Sequence, residues 1–299
     1  MILVPKVPRK VQYLLKFSVP LVRELTVKTP NEQFNGGRPG YDKEFLFSWL
    51  LVKKIMNWDY RTVADMAGVS HPTLMRANNL FLLRKIYHKL FIHLVKTAYR
   101  NGLIKGTHVA LDSSFVKTFS GGQEDGSRGW NGFKESFGFK LHLLIDTTTQ
   151  FPIALIIGDG LTNDGQFAVP LLKRARPWLK KVGYVLADKG YDDMDIVTYI
   201  FKRLKAKAGI PMRKKSKLAK GKKNRYGNYK NWKLKSAGRS LKHSILNRRS
   251  SVERVFSSLK RTYHLGKEEV RGIISFAKQV YLSLICYMLK LFYIAGMSR

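Results

Sequence analysis

The spacing of apolar residues changes once along the chain, and that change divides it. From residue 41 to about 101, in "YDKEFLFSWLLVKKIM", "YRTVADMAGVSHPTLMRANNLF" and "IYHKLFIHLVKTAYRNG", apolar side chains recur every three to four positions, and the run ends on Asn-Gly. That period and that stop signal predict packed helices. Within the run, Val63, Met66 and Ala67 make an apolar stripe, Gly68 supplies a turn, and Ser70 stands where it can cap a second helix carrying Arg76 and Asn78. A helix-turn-helix has this pattern, and so does an ordinary pair of packed helices. From residue 107 the period falls to two. "THVALDSS", "GFKLHLLIDTTT" and "FPIALIIGDG" predict three strands, with a Gly-rich loop, "SGGQEDGSRGWNGFKES", between the first two. An amphipathic helix ("DGQFAVPLLKRARPWL"), a fourth strand ("VGYVLAD"), a second helix ("DDMDIVTYIFKRLKAK") and a short strand ("AGIPM") follow. The expected fold is an all-α domain over residues 1–101 and an α/β domain over residues 102–299, a mixed sheet flanked by helices.

The most apolar run, "QVYLSLICYMLKLFYIAG", has Lys278 before it and Lys290 within it. The uncharged stretch between them is shorter than the roughly 18–20 residues a membrane span needs, so a core helix is expected, with Cys286 as a packing residue. A single cysteine excludes an intramolecular disulfide and a multi-cysteine zinc site. The N-terminal "MILVPKVPRKVQYLL" is broken by Pro and Lys, unlike the apolar region of a signal peptide. A cytoplasmic protein is expected.

Charge alters this picture. The 299 residues carry 55 Lys plus Arg against 20 Asp plus Glu, a net charge of +35. A field of that size opposes compaction unless a polyanion answers it. Nucleic acid fits best, through counterion release, and an anionic membrane surface is the competitor. No acid stands between Asp195 and Glu253, and residues 205–245 are dense in cations with Tyr226, Tyr229 and Trp232 interleaved. Such a segment is either a solvated loop or a nucleic-acid contact; the interleaved rings favour the second, with Lys214, Lys215, Arg225 and Trp232 as candidates beside Arg76.

In so basic a chain the carboxylates are informative. Asp112 ends the apolar run "HVALD" and Asp188 ends "YVLAD", so two predicted strands each deliver one acid to a sheet edge, where open α/β folds place their sites. Glu253 is the first acid after the basic tract. It sits in the helix "NRRSSVERVFSSLKRTYH", whose Val252, Val255, Phe256, Leu259 and Tyr263 form an apolar stripe. Arg249 and Lys260 share its polar face, with Arg254 adjacent. Taken singly, each acid is explained as a turn cap or a helical ion pair. Together, three carboxylates suit Mg²⁺ or Mn²⁺, and two such ions can drive in-line displacement at a phosphodiester. Asp146, Asp159 and Asp164 are expected in turn and cap roles, Asp192 as a helix N-cap, and His142 within a strand.

"LDSS" around Asp112, "ADKGYD" around Asp188 and "RSSVERVFSSLK" around Glu253 resemble the three signatures of DDE transposases of bacterial and archaeal insertion sequences, families four and five. The resemblance spans residues 107–291. It implies an RNase H-like catalytic domain in which Asp112, Asp188 and Glu253 are the metal ligands, with two Mg²⁺ or Mn²⁺ ions per site. It also implies that Arg249 and Lys260 contact DNA near the cleaved phosphate. The N-terminal helices stand where such proteins recognise transposon ends, which makes double-stranded DNA the partner, a homodimer or higher oligomer the working assembly, and the nucleoid the location. The fuller signature has a tyrosine three residues before the arginine; here that residue is Leu246. A nuclease of the same fold without strand transfer, and a non-catalytic DNA-binding derivative, are the alternatives.

Overall fold

The computed structural model describes residues 40–119, 129–211 and 242–296, with isolated helical positions between 12 and 24. Lys214, Lys215, Arg225 and Trp232, and most of the Gly-rich insertion, lie outside the described residues. The chain forms two compact units: Met1–Ala98 with Ser257–Arg299, and Tyr99–Phe256. Residues 257–299, expected with the α/β domain, thus group with the N-terminal helices.

The helical unit contains α1 (Lys43–Met56), α2 (Tyr60–Ala67), α3 (His71–Leu83) and α4 (Ile86–Arg100, whose last turn crosses into the other unit). Asp59 caps α2 by accepting from the Thr62 amide at 2.7 Å. Gly68 closes α2 with φ +66°, a left-handed turn that leads directly into α3. Two helices joined by a tight turn are therefore present, with two differences in detail from the expected pattern. The buried face of α2 is Val63 and Ala64, while Met66 is 46% exposed. Ser70 precedes α3 without a capping bond to the backbone and pairs instead with the Thr73 hydroxyl at 2.8 Å.

Asn78 is buried, not presented on a recognition face. Its amide donates to the Tyr60 hydroxyl and its carbonyl accepts from Tyr87 Oη at 2.6 Å, tying α2, α3 and α4 together. Burial raises the Tyr87 phenol well above its ordinary pKa, so the ring stays neutral and must share its proton with a partner. Asn78→Ala should cost about 1–3 kcal/mol, because it orphans buried hydroxyls; a urea melt of the full chain measures it. Arg76, on the same helix, is exposed.

The other unit is a mixed sheet. β1 (His108–Lys117), β3 (Ser136–Asp146) and β4 (Pro152–Asp159) form an antiparallel meander. The two-residue strand β2 (Trp130–Asn131) pairs with the start of β3, on the edge that β4 also uses. β5 (Tyr184–Leu186) then joins the far edge of β1 in parallel, and β6 (Lys207–Gly209) joins β5, also in parallel. The order across the sheet is β4–β3–β1–β5–β6. Leu141, Leu143, Leu144 and Ile145 of β3 are all buried, which explains a strand without polar alternation. Helix α5 (Gly165–Ala175) packs on β3 and β4.

Two expected elements differ. The second helix is only α6 (Met194–Thr198), followed by a π turn at Tyr199–Arg203, and the last strand begins earlier than "AGIPM" suggests. Asp193, not Asp192, caps α6 by accepting from the Asp195 amide at 2.8 Å, and Asp192 is buried.

Two short elements lead into the glutamate helix: α7 (His243–Leu246) and a 3-10 turn at Asn247–Arg249, then α8 (Ser250–Arg261). Val252, Val255, Phe256, Leu259 and Tyr263 are buried, as the stripe predicts. The last helix, α9 (Gly272–Ile294), is long and apolar enough by length and composition to cross a membrane, and 61% of its most apolar window is buried inside the protein. Cys286 lies in that buried part.

Candidate active site

The pairing of β1 with β5 sets the geometry. Ala110 is level with Leu186, and extending this parallel register by two residues brings Asp112 level with Asp188. Asp188 lies just past the end of β5, as expected. Asp112 does not end its strand: β1 runs on to Lys117 against β3, and only its pairing with β5 stops at Ala110. Asp112 lies two residues beyond that stop and is mostly buried, its side chain 19% exposed.

Both aspartates are oriented by the backbone. Asp112 Oδ1 accepts from the Ser113 amide at 2.8 Å. Asp188 Oδ1 accepts from the Gly190 amide at 2.7 Å, capping the 3-10 turn Lys189–Tyr191. In each, a local bond fixes one oxygen.

Glu253 arrives from α8. Arg249, one turn earlier, donates to Glu253 Oε1 at 2.7 Å and stands 3.7 Å from Asp112 Oδ2. The guanidinium thus bridges a strand acid and a helix acid that lie far apart in sequence. Electrostatics agree with this convergence. The Asp112 carboxyl is pushed up to about 6, first by burial and then by the charges of Asp188 and Glu253, against the lowering effects of the Ser113 amide and Arg249. Among the described residues no three His, Cys, Asp or Glu side chains form a ready metal-binding group. The donor set is all oxygen, the kind hard divalent cations take, and Arg249 supplies the positive charge that Asp112 and Glu253 share.

The remaining candidates separate. Arg254 is exposed and donates to Ser250 Oγ at 3.3 Å on its own helix. Lys260 lies on the part of α8 that groups with the helical unit.

One residue beside the site departs from its expected role. Asp164 occupies the N-cap position of α5 but makes no capping bond. It accepts instead from Ser113 Oγ at 2.7 Å and pairs with Lys140 Nζ at 3.0 Å. The turn role expected of it belongs to Asn163, whose Oδ1 accepts from the Gly165 amide at 3.0 Å. Asp146 and Asp159 do hold turns, through the amides of Thr148, Thr149 and Gly106 for the first and of Thr162 for the second. His142 is buried against Phe167, with ring centroids 4.2 Å apart, and burial lowers its pKa to about 4.

No curated protein sequence matches the chain. Among solved structures, a piggyBac transposase synaptic complex with hairpin DNA aligns over 98% of this chain and 73% of that one, with 12% identity and a TM-score of 0.52. At that identity the likeness is one of fold. A pre-cleavage Mos1 transpososome aligns over 98% of this chain and 99% of the other at 11% identity, with a TM-score of only 0.26. The family model described as "Transposase DDE domain" matches residues 104–289, a span that takes in all three carboxylates. Covered by that model over more than half its length, the chain belongs to the DDE transposase family.

Proposed function

We propose that this transposase binds the terminal inverted repeats of its element, cleaves the ends hydrolytically and joins the freed 3′-hydroxyls to target DNA. The catalytic domain is read as RNase H-like, on the strand order of three antiparallel strands followed by two parallel ones. Asp112, Asp188 and Glu253 are read as the holders of two Mg²⁺ or Mn²⁺ ions. The observation that supports the reading is that Arg249 stands between Asp112 and Glu253 while the charges of Asp188 and Glu253 both act on the Asp112 carboxyl.

When bound, the ions supply positive charge against the attacking and leaving oxygens of the phosphodiester. The protein's own contribution is to hold three carboxylates close together despite their repulsion. Arg249 offsets that repulsion now. Its planar fork also matches a phosphate, so once Asp112 and Glu253 find another cationic partner, Arg249 is free to grip the DNA backbone beside them. Arg76 on α3 is read as part of end recognition by the helical unit. Lys214, Lys215, Arg225, Trp232, Arg254 and Lys260 are read as further DNA contacts. A synaptic assembly of two ends implies at least a homodimer at work, in the cytoplasm on nucleoid DNA.

The distinguishing test is strand transfer. Incubated with pre-cleaved end fragments, Mn²⁺ and a supercoiled plasmid, the protein should yield plasmid joined to the fragments at their 3′ ends. Nicked plasmid without joined product would mark a nuclease instead.

A further inference from the structure

We infer that Asp164 is a positioning residue for the two catalytic aspartates, acting through Ser113 from the opposite face of the sheet. The inference rests on the proposed metal-holding role of Asp112 and Asp188. Successive side chains on a strand point to opposite faces. Ser113 pairs with His142 and Phe115 with Lys140, so these four share one face of the sheet, and Asp112 points to the other. Helix α5 covers the Ser113 face, with Phe167 against His142 and Asp164 against Lys140.

Asp164 is firmly held there. One oxygen takes the Ser113 hydroxyl and the other the Lys140 ammonium, while Lys140 Nζ also donates to the Thr162 carbonyl at 2.9 Å. Ser113 has one hydroxyl proton and gives it to Asp164. Tyr191 shares a side-chain hydrogen bond with Ser113. Tyr191 is 2% exposed and belongs to the turn that Asp188 caps.

A continuous chain results: Tyr191 to Ser113, Ser113 to Asp164, with Lys140 closing the far end. It ties the residue after Asp112 to the turn after Asp188 at the point where the β1–β5 ladder stops. No backbone pairing fixes the two strands relative to each other beyond that point. The side-chain chain takes over that task. An acid serving only as a helix cap would face the free amides of α5, and Asp164 does not. Partners of ligands commonly alter metal affinity or activity about 10–100-fold when removed.

Mn²⁺ binding to the DNA-free full chain, read from the loss of the free-ion EPR signal, tests the assignment without relying on activity. Asp164→Ala should weaken Mn²⁺ binding about tenfold, and Asp164→Asn, which keeps an oxygen for Ser113, should recover most of it. Ser113→Ala, a small change, should follow Asp164→Ala and decides the matter if Asp164→Ala does not fold. Wild-type affinity in Asp164→Ala, or in Ser113→Ala when only that variant folds, overturns the positioning role while leaving the metal reading intact. An equal loss in Asp164→Asn and Asp164→Ala also overturns it, since charge and not the Ser113 bond would then matter. Failure of the wild-type chain itself to bind Mn²⁺ overturns the metal reading, and the inference with it.

Discussion

Asp188→Asn should reduce DNA cleavage by at least about 10³-fold, a loss of roughly 4 kcal/mol in transition-state stabilisation, while the melting temperature stays close to wild type. The substitution is chosen for what it keeps. Asp188 caps the Lys189–Tyr191 turn through Oδ1, and an asparagine oxygen can accept the same Gly190 amide. Size and the local bond survive, and only the negative charge disappears. If Asp188 is a structural cap, the amide does its work and cleavage continues. If its charge is needed to hold divalent cations beside Asp112, activity collapses with the fold intact. Cleavage of end-bearing DNA at the wild-type rate would remove Asp188 from the site. Glu253→Gln serves as a companion. It removes the partner that Arg249 holds at 2.7 Å on a half-exposed surface of α8, where an ion pair contributes little to stability. A large loss of rate there also reports on chemistry.

How far the sequence reveals this site depends on what kind of contact each residue makes. Asp188 was legible because an apolar strand stops two residues before it, a local pattern. Asp112 stands out in the sequence for a reason the fold only partly shares. It is not at a strand end, because β3 continues to pair with β1 beyond it; the end that matters belongs to β5, a neighbour separated by a long stretch of sequence. Asp164 was read as a cap because caps are what acids before helices usually provide. The signal against that reading lay one residue earlier, where Asn163 already supplied a side chain for the turn. Asn78 is a parallel case. A polar residue on a second helix suggested DNA, yet its spacing from Leu74 and Phe81, both buried, puts it on the inward face. The membership of α9 in the helical unit had no local signature at all, since an apolar stripe states that a helix is buried and not against what.

The same gap hid a buried charge cluster in the helical unit. Lys53 and Lys54, adjacent on α1, are 4% and 1% exposed, and both reach Glu268: Lys53 Nζ to Oε2 at 3.1 Å and Lys54 Nζ to Oε1 at 2.9 Å. Lys54 also donates to the His264 carbonyl, and Lys53 lies over the Tyr60 ring, 4.5 Å from its centroid. Burial holds the Lys54 pKa below the usual ammonium range, against the upward pull of Glu268. Burial also pushes the Glu268 carboxyl up, but the two lysines outweigh it and the net shift is downward. One acid thus pairs with two sequestered cations. Glu268→Gln should destabilise the full chain by about 3 kcal/mol, the lower end of the range for orphaning a buried charge, because Glu268 keeps 29% of its side chain exposed. The pH dependence follows from the signs. A carboxyl with a depressed folded pKa stabilises the protein above its unfolded pKa and loses that contribution as pH falls through the folded value. The gap between wild type and variant should therefore be full at neutral pH and close in acid. In alkali it should narrow as well, because Lys54, with its lowered pKa, sheds its proton in the folded chain before it would in the unfolded one. Denaturant melts of both proteins across the pH range test this directly, and a gap that stays constant would show that the three charges do not act as a unit.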